Sequence, residues 1–439
     1  MNYKDCLAAI EKKNALGSRP GLSTIQEMLN RLGSPEKGIP AIQIAGTNGK
    51  GSILAYTESI LTEAGILTGR YVSPAVFDYR DKYLIGGKRI SEEMTAEILS
   101  AALRVSEEMV RDGLPEPTAF ETETAAAFLL YRKMQCDVIL VECGMGGALD
   151  ATNVLEENKT SVLASVSLDH LGILGNTVEE IADTKLGITR KGETLIVFPE
   201  QEDGVKGVIR SWQEKNHLHV ICPDLEKLQI LSETAEESRF SYRGIEYLIR
   251  LPGRHQILNA MTALEICCTA LADRQTEKGN TMIRWEKTLQ DGLRKTVWPG
   301  RWTIIDRNPM VILDGAHNEK AWLVLADNVR RLLSGKKIFF LTGVFRDKEY
   351  DKMTRILAPL IHEAAVITPP GARGLPAEEL ARMFRQKGTM ATAFDEYREA
   401  LQYLKASAGA DDVILCTGSL SFLGELMKLV KGNTLNGNS

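Results

Sequence analysis

The chain has no apolar run of the length a bilayer requires, and Met1–Ala15 carries no apolar stretch of the kind that opens a signal peptide. Both absences predict a cytoplasmic protein. Its seven cysteines include no Cys-x-x-Cys and no paired spacing, and several lie within apolar runs, which suits reduced thiols rather than disulfides. There is no surplus of basic residues either. The formal net charge is −5, which argues against nucleic acid as the main partner, since a phosphate-tracking surface needs excess Lys and Arg. Neither an internal repeat nor a low-complexity tract is present, and no Ser–His–Asp or Cys–His nucleophile set is visible. What remains is ordinary for a globular protein, with 44% hydrophobic and 25% charged residues. At 439 residues the chain exceeds what one hydrophobic core usually supports, so two domains are expected.

Local signals give the order of elements. Ser23 and Gln26 have the spacing of a capping box that opens a helix running to Leu32. A strand over 40–45 runs into the Gly-rich segment Gly46–Ser52, and a helix is expected from Ile53 to Ala64. Further on, the pattern predicts a helix over 118–134, strands over 137–142 and 160–166, and a helix over 176–190 capped by Asn176. Segment 238–251 alternates like antiparallel strands, and 259–272 reads as a helix. Strands alternating with helices imply a parallel sheet covered on both faces. A second series of strands (310–313, 337–341, 364–367 and 412–416), each followed by a helical stretch, begins after Trp298-Pro-Gly-Arg301. The fold class expected is therefore α/β: a parallel-sheet domain over 1–297 that carries a P-loop-like Gly-rich segment, followed by a smaller doubly wound α/β domain over 298–439. The polar tail 432–439 is expected to be disordered.

The segment Gly46-Thr47-Asn48-Gly49-Lys50-Gly51-Ser52 lies after a strand and before a helix, where free backbone N–H groups and a helix N-terminus meet a phosphate. It departs from the strict GxxxxGK[ST] pattern because Ile44 occupies the place of the first glycine. The chemical parts are present all the same. Glycines let the backbone approach, Lys50 can reach the β/γ-phosphates, and Ser52 can ligate Mg²⁺. Glu142 and His170 each follow a strand, and strand C-termini gather at the ligand crevice of an open parallel sheet, so with Ser52 they form a candidate set for a hard cation. Val178, Ile181, Lys185 and Ile188 are spaced i, i+3, i+7, i+10, so Lys185 interrupts an apolar stripe. Two readings follow: a snorkelling side chain with its ammonium in water, or a desolvated lysine with a lowered pKa and a nucleophilic amine.

GTNGKGS at 46–52 resembles the loop of the Mur-ligase superfamily, and its surroundings resemble the folylpolyglutamate/dihydrofolate synthase family in particular. The blocks that carry the resemblance are RLGSPEKGIPAIQIAGTNGKGS (31–52), YVSP (71–74), PTAFE (117–121), VECGMGGALDATN (141–153), SLDHLGILGNTVEEIADTKLGI (167–188), LPGRHQILNA (251–260), WPGRW (298–302), ILDGAHN (312–318), GVFRDK (343–348) and TGSLSFLGE (417–425). They keep the family order and span both expected domains. Muramyl ligases place a sugar-nucleotide-binding domain before the loop; with 45 residues ahead of Gly46, no such domain is expected here.

The resemblance implies an ATP-dependent carboxylate–amine ligase that adds L-glutamate to folate or dihydropteroate through an acyl phosphate. It implies that Thr47, Asn48, Gly49, Lys50, Gly51, Ser52, Asn259, Arg301 and Asp314 contact ATP, with His317 beside them and Gln256 near the start of the same helix as Asn259. It further implies Ser52, Ser73, Glu142, His170 and a carbamylated Lys185 as metal-site residues, and Lys50, Lys185 and His317 as the catalytic set. The cofactor is then Mg²⁺ with ATP as co-substrate. The partners are small molecules only (folate or dihydropteroate, L-glutamate and ATP), with no nucleic acid and no membrane, and the chain is expected to act as a monomer. Two segments depart from the family. Ala75 stands where many relatives have His, and Ala148 where many have Arg; residues 78–83 also lack the usual acidic-Arg-Ile run. These departures bear on the acyl substrate and leave open a Mur-type ligase acting on a non-folate carboxylate. A P-loop regulatory switch and a catalytically silent homologue are the readings from other classes.

Overall fold

A computed structural model of the chain describes residues 1–17, 19–156, 159–169, 172–272, 285–419, 422–427 and 429. The larger sheet has eight strands: β1 (Ala41–Ala45), β2 (Thr68–Tyr71), β3 (Tyr83–Ile85), β4 (Lys88–Arg89), β5 (Val138–Glu142), β6 (Lys159–Leu163), β7 (Thr194–Val197) and β8 (His219–Ile221). Their order across the sheet is β4-β3-β2-β5-β1-β6-β7-β8. The six strands from β2 to β8 pair in parallel, and only β3 and β4 at one edge run antiparallel. Every residue of β1 and of β5 is buried, as required of strands covered on both faces.

The helices that cover this sheet are α1 (Tyr3–Asn14), α2 (Ser23–Arg31), α3 (Lys50–Glu63), α4 (Glu92–Arg111), α5 (Ala119–Lys133), α6 (Val178–Leu186), α7 (Asp203–Asn216), α8 (Arg254–Ala272) and α9 (Glu286–Lys295). One face buries Ile53, Tyr56 and Ile60 of α3 with Met261 and Leu264 of α8; the other buries Phe128 and Tyr131 of α5 with Leu99 and Leu103 of α4. Helices α3 and α9 meet backbone to backbone, since a Cβ on Gly292 would lie 2.5 Å from Ile60 Cα. A three-stranded antiparallel sheet follows the large one: β9 (Leu228–Glu233), β10 (Ser238–Tyr242) and β11 (Ile245–Ile249). The alternation read over 238–251 is thus two paired strands.

After residue 298 a second sheet forms from β12 (Thr303–Arg307), β13 (Met310–Leu313), β14 (Ile338–Thr342), β15 (Glu363–Ile367), β16 (Met390–Phe394) and β17 (Val413–Thr417), in the order β12-β13-β17-β14-β15-β16. All its pairs are parallel except β12–β13. The four strands expected here are β13, β14, β15 and β17; the two edge strands, β12 and β16, had not been expected. Trp302 Nε1–H donates to Ala235 O (2.9 Å), which ties this unit to the β9–β10 turn.

Several local expectations are corrected. Helix α2 does start at Ser23, but Leu22 is its N-cap, in a helical conformation, and no side chain caps it. Ser23 is already inside the helix, so its hydroxyl is in the wrong place for a capping box. Thr177, not Asn176, caps α6: its Oγ1 accepts from Glu180 N–H at 3.2 Å, and Asn176 N–H donates to Glu180 Oε2. Helix α6 also ends at Leu186, so Ile188 lies beyond the stripe. Helix α3 begins at Lys50 rather than Ile53, because Gly49 supplies a left-handed N-cap with φ 89°. The polar tail 432–439 lies outside the described residues.

Candidate functional site

The crevice at the C-terminal ends of β1 and β5 is built from the turn that leaves β1. Thr47 fastens this turn to the next strand segment: its Oγ1–H donates to Ser167 O (3.0 Å) and accepts from Ser167 N–H (3.1 Å). A Cβ at Gly46 would fall 2.6 Å from Ala164 Cβ, and one at Gly49 2.7 Å from Asn259 Oδ1. At those two positions glycine is required by close approach as well as by positive φ. Starting α3 at Lys50 puts Lys50, Gly51 and Ser52 in the first turn, with the helix's free N–H groups facing the turn.

Two lysines from distant elements meet here. Lys50 Nζ donates to Gly46 O (3.0 Å), and Lys185 Nζ, from the last turn of α6, donates to the same oxygen (3.1 Å). Lys185 is buried and its Nζ bonds to Gly46 O inside the protein, so the snorkelling reading fails. Burial first, and the Lys50 charge second, bring the Lys185 pKa down to about 8. Glu142 closes the cluster at 3.7 Å from Lys50 Nζ. Its own pKa is raised by burial, an effect that Lys50, Arg301 and Arg70 oppose.

Ser52 Oγ accepts from Gln256 Nε2–H (3.3 Å), whose Oε1 in turn accepts from Asn259 Nδ2–H (3.2 Å). Ser52, Gln256 and Asn259 are thus one chain of bonds between α3 and α8. On the second unit, Asp314 follows β13 and accepts from Trp302 N–H and Ala316 N–H, both at 2.9 Å. Burial raises its pKa, and Arg301 opposes that rise. His317 Nδ1 lies 2.8 Å from Gly315 O, and burial lowers its pKa to about 4, so the ring is neutral at pH 7. Asn318 Nδ2–H donates to Asn48 Oδ1 (3.3 Å), which joins the second unit directly to the Gly-rich turn. Lys348 and Asp169 span the same junction at 3.5 Å.

Thr47 to Ser52, Glu142, Lys185, Gln256 and Asn259 are therefore brought together, and Arg301, Asp314 and His317 face them across the junction. Ser73 lies two residues past β2, whose partner strand β5 ends in Glu142, and is half-buried. His170 lies outside the described residues. Among the described residues no three of His, Cys, Asp and Glu form a metal-binding cluster. The donors present are nonetheless of the right kind: a hydroxyl from Ser52 and a buried carboxylate from Glu142 are hard oxygen ligands. As an ammonium Lys185 would repel a cation, but a buried amine with its pKa near 8 loses its charge readily. Sequence reasoning missed Asn318, Ser167 and the Asp169–Lys348 pair. Each lies inside a block that was recognised, but its partner is more than a hundred residues away.

Comparison with known proteins finds similarity over nearly the whole chain. The family described as Mur ligase middle domain matches residues 44–267, and Mur ligase, glutamate ligase domain, matches 300–420. The dihydrofolate synthase/folylpolyglutamate synthase of Bacillus subtilis is 32% identical over 444 residues, covering 98% of this chain and 99% of the relative. Among solved structures, Escherichia coli FolC in complex with DHPP and ADP superposes with a TM-score of 0.81 at 27% identity, covering 98% of each chain. A bifunctional folylpolyglutamate synthase/dihydrofolate synthase with Mn, AMPPNP and L-glutamate bound gives 0.80 at 25% identity, again covering 98% of each chain. With both of its sheets and nearly all of its length matched in this way, the chain belongs to the folylpolyglutamate synthase/dihydrofolate synthase family of Mur ligases.

Proposed function

We propose that the chain joins L-glutamate to a folate or dihydropteroate carboxylate at the expense of ATP, through an acyl phosphate. The observation that carries this reading is the convergence of Lys50 and Lys185 on one carbonyl of a Gly-rich turn, beside Glu142 and at the start of α3. The Lys50 ammonium and the free N–H groups of the first turn of α3 concentrate positive charge beside this turn. Such a site suits a polyphosphate and the charge that develops as its terminal phosphoryl group is transferred.

In this proposal residues 1–297 form the ATP-binding domain and 298–439 the ligase domain, with Thr47–Ser52, Asn259, Arg301 and Asp314 holding the nucleotide. Lys50 and Lys185 are catalytic, and neutral His317 sits beside the transferred group as an uncharged hydrogen-bonding partner. Ser52, Ser73, Glu142, His170 and a carbamylated Lys185 would hold Mg²⁺. The metal, when bound, supplies charge neutralisation at the β- and γ-phosphates. The second unit closes against the Gly-rich turn, a role supported by the Asn48–Asn318 and Asp169–Lys348 contacts. Closure excludes water, which matters because an acyl phosphate hydrolyses readily. The setting proposed is the cytoplasm, with the protein acting as a monomer and without nucleic acid.

The test is ADP release with dihydropteroate and with tetrahydrofolate, each with L-glutamate, against a panel of other carboxylic acids. Release that depends on a folate-type acid and on glutamate together is expected. Release only with a non-folate acid would move the chain to another Mur-type ligase, a shift that Ala75 and Ala148 would explain. Hydrolysis that needs no acid would point to a regulatory switch.

A further inference from the structure

Trp298 lies on the linker between the two units, yet its indole rests on the Gly-rich turn. A Cβ at Gly51 would come within 2.6 Å of Trp298 Cζ2 and 3.0 Å of Cε2, so the ring packs directly on the α-carbon of Gly51. The Arg70 guanidinium lies over the same indole, 4.7 Å from the ring centroid. Arg70, near the end of β2, is held in turn by Glu58 at 3.1 Å, and both side chains are almost wholly buried. Glu58 sits seven residues after Gly51 in α3, so both occupy one face of that helix. The indole therefore touches the first turn of α3, and its cation is anchored two turns further along the same helix. Trp298 O accepts from Arg301 N–H at 3.2 Å, so the placement of the indole also fixes the backbone that carries Arg301. Among the described residues Glu58 Oε1 and Arg70 Nε have no hydrogen-bond partner, and both residues line a cavity of about 390 Å³ with Val72, Phe77 and Trp298.

We infer that Trp298, clamped by Arg70 and Glu58, is a positioning residue: it seats the inter-domain linker on Gly51, so that the Gly-rich turn and Arg301 are set in register by one contact. The inference rests on the nucleotide reading of Gly46–Ser52 and deepens it. A stacked indole suits the task because it is flat, rigid and able to hold a guanidinium on its face. Glycine at 51 is what lets the ring come so close.

The test is calorimetric binding of ADP with Mg²⁺ to the full chain, alongside steady-state kinetics. Trp298→Ala should weaken ADP binding by about ten-fold, the scale of one well-made cation–π and packing contact. It should raise KM for ATP while leaving KM for glutamate unchanged, and Trp298→Phe should recover most of the loss. Gly51→Ala should also weaken binding, but less so in a Trp298→Ala background, where the clashing ring is gone. Trp298→Ala binding ADP as tightly as the parent, while Lys50→Ala does not, would overturn the inference and leave the nucleotide reading standing. Lys50→Ala binding as tightly as the parent would remove that reading, and this inference with it. If Trp298→Ala loses its folded circular-dichroism spectrum, Arg70→Gln, which keeps the indole, replaces it with the same two outcomes.

Discussion

The two lysines proposed as catalytic make different forecasts. Lys50→Ala should lower ligation by about 10³-fold or more with the fold intact, since a preorganised charge at a developing oxyanion contributes several kcal/mol to the transition state. Near-normal ADP release from that variant would take phosphate binding away from Gly46–Ser52. For Lys185 the discriminating change is Lys185→Arg. It keeps charge and stem, but the guanidinium stays protonated and cannot add CO₂. If the carbamate forms, both Lys185→Arg and Lys185→Ala should be nearly inactive, and short-chain carboxylates should restore part of the alanine variant's rate. An active arginine variant, with a free ammonium in atomic-resolution density of the nucleotide complex, would defeat the carbamate. The lysine's burial, its bond to Gly46 O and the depression of its pKa to about 8 set up the reactive amine that such chemistry needs.

At the scale of elements, the caps show where local signals suffice and where they mislead. Thr118 and Glu121 form a full reciprocal box at the start of α5: Thr118 Oγ1 accepts from Glu121 N–H (3.2 Å), and Glu121 Oε2 accepts from Thr118 N–H (2.8 Å). Thr118→Ala should therefore cost about 1–2 kcal/mol, read as a shift in the chemical-denaturation midpoint, with the upper end favoured by burial. No change in midpoint would mean that the helix is held by packing alone. Ser23 and Gln26 have the same spacing but no such bonds, because helix α2 begins one residue earlier than the motif needs. The spacing was legible; the backbone entering the helix, which decides whether the hydroxyl can reach back, was not. Strands β5 and β13 were equally legible, as unbroken apolar runs that end at Glu142 and just before Asp314, and β1 as a run that is apolar but for Gln43. The edge strands β12 and β16 were not, since their residues are largely exposed or half-buried and carry no continuous apolar signature.

For the whole molecule, the candidate site is divided between two units that are joined by bonds such as Asn48–Asn318 and Asp169–Lys348, so nucleotide should act on stability as well as on chemistry. ADP with Mg²⁺ at a hundred-fold excess over its Kd should stabilise the native state by about 2.7 kcal/mol, seen as a rise in unfolding temperature of a few degrees. Lys50→Ala should abolish most of that rise, and an undiminished shift in the variant would place the nucleotide elsewhere. Sequence alone determined the α/β class, the two series of strands, the Gly-rich turn and, by ordered blocks, the family; these depend on local spacing and composition, which the chain carries on its face. Tertiary structure alone decided that Lys185 points inward to Gly46 and not to water, that Asn318 reaches Asn48, and that Trp298 lies against Gly51. Each of those contacts joins residues well over a hundred positions apart. Side-chain type and spacing set what a residue is able to do, but only the closing of the sheets and helices around it sets which partner it meets.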